Sequence, residues 1–326
     1  MPTLTGGALL AECLAALGRQ TFAAFETVVV DNSAAARVAK TELPDRIQLV
    51  AAPRNLGYGG AINLAARASQ AEFIAALNDD AIVDPAWLAS LVAAADSQPQ
   101  TGMWASRVRL NEREMDSAGM LLFADGSSKQ RGHCRPPEEF NEPADVLLPS
   151  GSAALYRRSM LEQLGGFDED FFLYCEDTDL GLRAQWAGWP CRYVPTAIVD
   201  HRYSQSAGRV SPLKAYYVER NRLRLAVKNF PLAMLAAAPL HAISRYGWHL
   251  LALFSGRGPA GEFHKSGGSP FVLVWLVVRA HLAALWSLPR LLGQRWRIRR
   301  AATISAGQFI VLARRHALTA REVALL

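Results

Sequence analysis

One stretch of the sequence combines acids and aromatic rings in a way that could serve a reaction. Residues 165–180 read GGFDEDFFLYCEDTDL, so six carboxylates are interleaved with four aromatic rings. A protein core seldom tolerates that many acids, and a surface loop seldom needs that many rings. The composition fits the wall of a pocket in which one or two carboxylates face a reactant. It fits equally well a solvated acidic turn that leads into a helix.

Polar residues also follow three predicted strands, at the points where the strands end. In sheets built from alternating strands and helices, ligands bind beyond the carboxyl ends of the strands. Three polar motifs at one rim indicate a site more strongly than any one of them does. They are Asp31 and Asn32 after residues 25–30, the loop 54–60 after residues 47–50, and Asp79 and Asp80 after residues 72–77.

The glycines of the loop 54–60 invite comparison with dinucleotide-binding motifs. That fingerprint requires a further glycine three residues after Gly59, where this sequence has Ile62. The start of the helix that follows could still hold a phosphate through its backbone N–H groups. A dinucleotide cofactor site is therefore the weaker interpretation of this loop.

Two acidic pairs and a histidine could together hold a metal and supply a base. Mg²⁺ and Mn²⁺ prefer oxygen ligands and commonly bridge a carboxylate to the phosphates of a substrate. The two pairs are Asp79-Asp80 and Glu176-Asp177. A metal held by one pair could neutralise a diphosphate leaving group, while the other pair supplies a general base. His201 is a candidate ligand, although a lone histidine is more often a core residue.

The elements that must position these residues alternate between strands and helices. This alternation predicts an α/β fold with a mostly parallel mixed sheet flanked by helices. Asp84 and Pro85 should begin one helix as its N-cap and first helical residue. Further helices are predicted over residues 8–18, from the loop 54–60 to about residue 68, and over 157–164 and 177–187. Strand-like residues 191–195 and 197–199 lead to Asp200 and His201, and residues 102–150 are expected to form an irregular excursion with one or two strands.

Charge and hydrophobicity divide the chain of 326 residues. The net charge is +6, but the acids cluster before residue 180, whereas arginines and apolar runs gather after residue 231. This distribution predicts a catalytic or binding body over residues 1–230, joined to a helical, apolar and basic extension over residues 231–326. The four cysteines show no CxxC pair and no zinc-ligand spacing, and no secretory signal is visible. A cytosolic setting with reduced thiols is therefore expected.

The extension carries polar residues inside apolar helical patterns. His241, Arg245 and His249 recur every four residues and share one face of a predicted amphipathic helix on the surface. Residues 270–289 are more apolar, but a central arginine such as Arg279 costs roughly 2.5–3.5 kcal/mol in a bilayer. We expect a peripheral or monotopic anchor on the anionic inner face of the cell membrane, with a true span, or an oligomer or core helix pair, as open alternatives. Nucleic acid is not expected as a partner, because no recognition fold accompanies the arginines.

Several motifs resemble those of family 2 glycosyltransferases, in the correct order from about residue 8 to residue 230. The resemblance implies a nucleotide-sugar-binding fold of the GT-A type. The motifs of the nucleotide-sugar half are FETVVVDNS (25–33), RNLGYGGAIN (54–63) and LNDDAIVDPAWL (77–88). The acceptor-side motif is GGFDEDFFLYCEDTDLGLR (165–183), and residues 193–201 and YYVERNRLR (216–224) resemble the rhamnosyltransferase-like branch.

The same resemblance implies a role for individual residues. Asp177 would be the general base that deprotonates an acceptor hydroxyl, assisted by Glu176, in an inverting reaction. Asp80 matches the last acid of a DxD-like motif and would hold Mg²⁺ or Mn²⁺ through the donor diphosphate, with His201 completing the metal site. Asp31 would contact the nucleobase or ribose of the donor. The other residues implied in donor binding are Asn32, Arg54, Asn55, Gly57, Gly60, Asn63 and Asp79.

The implied activity is the transfer of a sugar from a nucleotide-diphosphate donor, a dTDP- or UDP-sugar, to a saccharide or lipid-linked acceptor in surface polysaccharide assembly. The family's first strand, which borders the nucleobase, would end before Met1. Either the start codon is misplaced or the sheet lacks that strand. Its absence favours an alternative, a catalytically impaired sugar-nucleotide-binding or scaffold protein of the same fold. A hydrolase that uses the same metal and acids is a third interpretation.

Overall fold

The computed structural model describes residues 1–38, 43–44, 46–202, 211–265, 267 and 269–325. Its strands are β1 (Pro2–Thr3), β2 (Thr27–Asp31), β3 (Ile47–Ala51), β4 (Phe73–Leu77), β5 (Ala81–Val83), β6 (Met103–Asn111), β7 (Glu114–Ser117), β8 (Met120–Leu122), β9 (Ser128–Gln130), β10 (Ala144–Val146), β11 (Ala153–Arg157) and β12 (Cys191–His201). Its helices are α1 (Gly7–Leu17), α2 (Gly57–Arg67), α3 (Trp87–Ser97), α4 (Arg158–Leu164), α5 (Glu176–Trp186), α6 (Pro212–Asn229), α7 (Leu232–Ser255), α8 (Gly258–Lys265), α9 (Pro270–Trp286), α10 (Leu288–Arg300), α11 (Ala306–Arg315) and α12 (Ala320–Leu325).

The chain folds into two compact units. The first unit contains residues 1–119, 130–184 and 189–203, and the second contains residues 120–129, 185–188 and 204–326. The second unit thus groups α6 with the C-terminal helices and includes the β8–β9 turn. The predicted domain boundary after residue 230 remains a prediction.

The first unit has the predicted α/β character, with mixed sheets flanked by helices. Strands β1, β2 and β3 form a parallel sheet in that order. In the larger sheet only β6 and β12 pair in parallel, and the other pairs are antiparallel. The prediction of mostly parallel pairing is therefore wrong for this sheet. The short connection from β6 to β7, for example, leaves no room for the crossover that parallel pairing of these two strands would need.

Residues 102–150 differ most from expectation. They contain β6, a nine-residue strand between β12 and β11, and four further strands. The prediction of an irregular excursion is wrong because Arg107 and Arg109 obscure the strand pattern of β6. Both arginines have partners: Arg107 donates to the side chain of Asn141, and Arg109 forms a two-point ion pair with Asp200. A paired arginine is tolerated in a strand where an unpaired one is not.

A short first strand is present, contrary to expectation. Pro2 and Thr3 pair in parallel with Val30 and Asp31 of β2. The N–H of Val30 donates to the carbonyl of Met1 at 2.8 Å, and that of Asn32 donates to Thr3 at 2.8 Å. The expected missing strand is therefore corrected to a strand of two residues.

The start of α3 also differs from prediction. Asp84 accepts a hydrogen bond from the N–H of Ala86 at 2.9 Å, and its carbonyl accepts one from Trp87. Asp84 and Pro85 consequently form a turn, and the helix begins two residues later, at Trp87. The indole of Trp87 is buried and donates to Ser106 of β6 at 2.9 Å, which fixes α3 against the sheet.

Apolar side chains cover both faces of the larger sheet. Along β6, Trp104 belongs to one buried cluster with Trp87 and Leu91 of α3, while Met103 and Ala105 belong to another with Met160. Successive residues of a strand point to opposite faces, so these two clusters lie on the two sides of β6. Leu77, Ala81 and Val199 belong to the cluster that contains Trp104, so the core anchors the ends of β4, β5 and β12.

In the second unit, α7 presents its polar face inward. Arg245 is buried, and its guanidinium lies 2.6 Å from Asp125 and 2.9 Å from Glu219. The ring of His241 packs edge-on against Phe123. The prediction that His241, Arg245 and His249 share one face is thus confirmed. That face points inward, because two buried carboxylates neutralise Arg245.

The outward side of these helices is apolar. Leu232, Leu240 and Phe254 of α7 are 75%, 72% and 81% exposed. Within the described part of the chain, no single helix combines the length and the apolar character needed to cross a membrane. Helices α9, from Phe271, and α10 meet that requirement only as a pair, and they are bent by 62°.

Candidate active site

Strand pairing brings Asp80 and His201 together across 121 positions of sequence. Strands β5 and β12 run antiparallel with His201 opposite Ala81, so the turn before β5 places Asp80 beside the imidazole. Asp80 Oδ1 lies 3.2 Å from His201 Nε2, and both side chains are buried. These are the two residues for which the sequence predicted a shared metal.

The other imidazole nitrogen faces a residue that the sequence analysis did not single out. Asp116 Oδ2 lies 2.9 Å from His201 Nδ1. Burial disfavours the imidazolium, but hydrogen bonds and charges from Asp116 and Asp80 outweigh it and raise the pKa of His201 to about 9. A signal for Asp116 exists in the sequence, since it is a single acid in the mainly apolar and small run MDSAGMLLF. An acid in such a run is buried and needs a partner.

The turn between β4 and β5 adds two polar residues to this end of the sheet. The side-chain amide of Asn78 lies 3.3 Å from His201 Nε2, and its backbone N–H donates to the carbonyl of Ser152 at 3.0 Å. Asp79 is half-buried, and burial raises its pKa against the effect of a hydrogen bond from Thr3. The Asn78-Asp79-Asp80 turn is therefore held by strands on both sides.

The second acidic pair lies in the first turn of α5. Asp177 Oδ2 accepts a hydrogen bond from the N–H of Gly151 at 2.9 Å, and Oδ1 accepts one from the N–H of Thr178 at 2.6 Å. Burial raises the pKa of Asp177, and these hydrogen bonds oppose the rise. Burial and the neighbouring charge of Asp177 raise the pKa of Glu176 to about 8. Glu176 Oε2 is buried and has no hydrogen-bond partner among the described residues.

A tight turn at residues 150–152 connects the two acidic pairs. Gly151 binds Asp177 through its N–H, while the carbonyl of Ser152 accepts the hydrogen bond from Asn78. The phenol of Tyr58 donates to the carbonyl of Gly151. A methyl group added at Gly151 would lie 3.3 Å from both Asp177 and Tyr58, so a small residue is favoured here. The structure therefore brings both predicted acidic pairs to one site.

The segment before α5 is held in an unusual backbone conformation. Phe172, Tyr174 and Cys175 have φ angles of 62°, 67° and 66°. Such left-handed conformations are uncommon for residues other than glycine and persist only where neighbouring contacts impose them. One such contact is the N–H of Tyr58, which donates to the carbonyl of Phe172 at 2.9 Å. The conformation directs the chain into α5 at Glu176.

Gly57 permits this contact. Its φ is +72°, and a methyl group added to it would lie 1.9 Å from the carbonyl oxygen of Phe172. Only glycine allows the two backbones to approach so closely. Gly60 is also buried, and a methyl group there would lie 2.9 Å from Leu56. Both glycines therefore serve close packing of α2, whatever they contribute to donor binding.

The residues predicted for donor binding divide into two groups. Asp31 accepts hydrogen bonds from the N–H and hydroxyl of Ser33 at 2.9 Å and 2.6 Å, and one from the N–H of Val38 at 3.0 Å. These bonds outweigh burial and lower the pKa of Asp31, so its carboxylate is anionic and stabilises the loop after β2. Asn32 binds the backbone of Leu56 and Gly57 and the side chain of Asn55. This group links the end of β2 to the loop before α2 and to the start of that helix.

The second group lies along α2 and its approach. Arg54 is exposed. Asn63 accepts from the N–H of Phe167 and donates to its carbonyl, both at 2.9 Å, and also donates to Glu169 at 3.1 Å. The amide of Asn63 is therefore occupied in fixing the acidic and aromatic segment. No group of three or more His, Cys, Asp or Glu side chains in the described part of the chain is arranged to hold a metal by itself.

Comparison with known proteins identifies similar sequences and folds. Residues 1–165 match Glycosyl transferase family 2. An N-acetylglucosaminyl-diphospho-decaprenol L-rhamnosyltransferase of Mycobacterium tuberculosis (strain CDC 1551 / Oshkosh) is 32% identical over 238 residues, which cover 64% of this chain and 76% of that protein.

Two solved structures are similar in fold. GalNAc-T7 with UDP, GalNAc and Mn²⁺ has a TM-score of 0.54 at 15% identity, covering 68% of this chain and 46% of that one. The mannosyltransferase PcManGT from Pyrobaculum calidifontis, in complex with GDP-Man and Mn²⁺, has a TM-score of 0.52 at 19% identity, covering 88% of this chain and 85% of that one. At these identities the likeness concerns the fold, and it is to glycosyltransferases with the predicted GT-A fold.

Proposed function

We propose that this chain, which belongs to glycosyl transferase family 2, transfers L-rhamnose to a lipid-diphosphate-linked saccharide. It is an inverting, nucleotide-sugar-dependent glycosyltransferase of polysaccharide biosynthesis. The observation that carries the proposal for the site is the turn at residues 150–152, which binds both Asp177 and Asn78. This turn joins the base, Asp177, to the predicted leaving-group site beside Asn78. The choice of sugar and acceptor is supported by the similarity to the mycobacterial rhamnosyltransferase.

Asp177 is the group to which we assign the proton of the acceptor. As the acceptor hydroxyl oxygen attacks the anomeric carbon, its proton moves to the Asp177 carboxylate, the bond to the nucleoside diphosphate breaks, and the configuration inverts. The N–H groups of Gly151 and Thr178 hold the carboxylate in place. Glu176, whose pKa is about 8, stays protonated near neutral pH and so adds no second charge beside the base.

Asp80 and His201 are the residues that would hold a divalent cation. A buried carboxylate oxygen and an imidazole nitrogen 3.2 Å apart are a suitable partial ligand set. Mg²⁺ is usually bound by one or two protein carboxylates, with waters and substrate phosphates as the remaining ligands. A pair of protein ligands, rather than a complete cage, therefore fits a cation that arrives with the donor. When bound, the cation would neutralise charge on the diphosphate leaving group.

The second unit is the part that we assign to the membrane surface. Its apolar exposed side chains include Phe271 and Trp286 of α9, which are 85% and 91% exposed. The unit carries nineteen Lys and Arg against four Asp and Glu, so its formal charge is +15. Exposed apolar helices with a large positive charge are suited to an anionic leaflet. We propose a peripheral or monotopic position on the cytoplasmic face, where a lipid-linked acceptor is available.

A transfer assay tests the proposed function directly. The protein is incubated with dTDP-L-rhamnose, Mn²⁺ and polyprenyl diphosphate N-acetylglucosamine, and the products are analysed by mass spectrometry and NMR. We expect one deoxyhexose to be added to the acceptor with inversion at the anomeric carbon. Donor cleavage at the same rate without acceptor would instead identify a hydrolase, and no turnover with a panel of dTDP- and UDP-sugars would reject the proposal.

A further inference from the structure

A chain of buried polar side chains extends from Asp80 into the first unit. His201 Nε2 faces Asp80 at 3.2 Å, and His201 Nδ1 faces Asp116 at 2.9 Å. Asp116 Oδ1 lies 3.3 Å from His133 Nδ1. Asp116 is 1% exposed, so its carboxylate is held among these partners and away from solvent.

The backbone of β7 explains how an acid comes to point at His201. Val108 and Arg109 are adjacent on β6, but they pair with Ser117 and Met115 of β7. Asp116 is therefore the extra residue of a β-bulge. Bulges re-aim a side chain and occur frequently beside active sites. The two neighbours, Met115 and Ser117, remain paired and buried, so the bulge is anchored on both sides.

An imidazole can offer only one nitrogen to a metal, and the partner of the other nitrogen decides which. A carboxylate that accepts from Nδ1–H leaves Nε2 as the ligand atom and fixes the ring plane. We propose that Asp116 is the positioning residue that holds His201 with Nδ1 protonated and Nε2 directed toward Asp80. The inference rests on the cation site of the proposed function, and it adds the residue that makes His201 competent as a ligand.

The competing explanation is purely structural, because a buried imidazole needs a hydrogen-bond partner whatever its role. In that case, replacing Asp116 would lower the melting temperature but would leave cation affinity unchanged in the molecules that remain folded. The two explanations therefore differ in Mn²⁺ affinity.

We would measure Mn²⁺ binding by electron paramagnetic resonance, with and without UDP, for the full chain and for Asp116→Asn. The isosteric amide keeps the shape of the side chain but loses its charge. Loss of such a partner typically weakens metal affinity by about 10- to 100-fold, and we expect a weakening of that order. The matched control is Asp200→Asn, which is adjacent to His201 but whose carboxylate pairs with Arg109. The control should retain the Mn²⁺ affinity of the unmodified chain.

A double-variant cycle links the effect to His201. In a His201→Gln background, Asp116→Asn should cause no further loss of Mn²⁺ affinity. Equal affinity of Asp116→Asn and the unmodified chain, or an undiminished effect in the His201→Gln background, would overturn the inference. If the unmodified chain itself bound no Mn²⁺, the cation site of the proposed function would fail and this inference with it, a result distinct from failure of Asp116 alone.

A second measurement does not require Asp116→Asn to fold. Long-range ¹H–¹⁵N spectra of the unmodified chain, labelled at histidine and saturated with Mg²⁺ and UDP, report which ring nitrogens carry protons. The signal of His201 is assigned by its disappearance in His201→Gln. We expect a proton on Nδ1. A His201 ring that is protonated on Nε2 alone would overturn the inference.

Discussion

Glu176 remains protonated at pH values where an ordinary glutamate is charged, because it is buried beside Asp177 and its pKa is about 8. An ordinary glutamate has a pKa of 4.5, so between about pH 4.5 and 8 the folded chain keeps a proton that the unfolded chain loses. The free energy of unfolding must therefore fall as the pH rises through this window. The burial that suits Glu176 to its place beside a base thus makes the fold less stable in alkali.

Replacing Glu176 with Gln should remove this pH dependence. The neutral amide does not titrate, so the free energy of unfolding of the variant should not fall through this window. Relative to the unmodified chain, it should therefore be higher at pH 8.5 than at pH 4.5, by at least about 1 kcal/mol. Urea unfolding at the two pH values measures the change. Glu138→Gln, at an exposed site, is the control and should follow the unmodified chain. Parallel pH dependence in both variants would contradict the pKa of Glu176.

Gly57 provides a test of the close approach between α2 and the segment before α5. Gly57→Ala introduces both a left-handed alanine and a collision with the carbonyl of Phe172. Gly165→Ala introduces only the left-handed alanine, since no atom lies within 4 Å of the added methyl group. Backbone strain of this kind typically costs about 1–3 kcal/mol. Both variants bear this strain, and only Gly57→Ala adds the collision, so its melting temperature should fall further than that of Gly165→Ala. The rate of sugar transfer by Gly57→Ala should fall as well. Equal losses would mean that the segment moves away freely.

At the scale of elements, several strands and helices of the first unit follow from the sequence pattern. Strands β2, β3 and β4 and helices α1, α2 and α5 lie within a few residues of their predicted bounds, because apolar runs and polar or glycine stops are local signals. The bulge at Asp116 and the pairing of β5 with β12 are different. They depend on register between distant strands. The sequence can therefore indicate that Asp116 is buried, but not that His201 is its partner.

Helix α7 shows the limit of periodicity as a signal. The spacing of His241, Arg245 and His249 correctly predicts a common face, but it does not predict that this face points inward. The deciding partners, Asp125 and Glu219, are 120 and 26 positions from Arg245. An arginine neutralised by two buried acids can be buried, whereas an isolated one cannot.

Removing Arg245 should therefore destabilise the second unit. Arg245→Ala leaves Asp125 and Glu219 without one of their buried counterions, and breaking such a pair typically costs about 3–5 kcal/mol. Arg297→Ala, at an exposed site on α10, is the control and should change stability little. Chemical unfolding followed by circular dichroism distinguishes the variants. An unchanged midpoint for Arg245→Ala would contradict the inward orientation of α7.

At the scale of the whole molecule, charge is segregated between the two units. The first unit has sixteen Lys and Arg against twenty-five Asp and Glu, a formal charge of −9, whereas the second has +15. The overall value of +6 therefore conceals a strongly basic unit. The same unit exposes the apolar side chains of α7 and α9, and both features are suited to an anionic bilayer.

This segregation predicts selective binding to anionic vesicles. The full chain should float with phosphatidylglycerol vesicles and much less with phosphatidylcholine vesicles, and added salt should weaken the binding. Phe271→Ser together with Trp286→Ser should reduce flotation, because both side chains are almost fully exposed. Leu4→Ser, an exposed apolar residue of the first unit, is the control. Equal binding to both vesicle types in high salt would contradict a charge-dependent anchor.

The central claim is that Asp177 acts as the base while the donor is held elsewhere in the site. Asp177→Asn keeps the shape of the side chain but cannot take a proton, and its single oxygen can accept from only one of the N–H groups of Gly151 and Thr178. Loss of a general base typically slows a reaction by about 10²- to 10⁴-fold, and Asp170→Asn in the same segment serves as the control. The deciding measurement is the rate of sugar transfer by Asp177→Asn, with donor binding followed by calorimetry. We expect transfer to fall by that factor while donor affinity is retained, and turnover at the rate of the unmodified enzyme would contradict the assignment of Asp177 as the base.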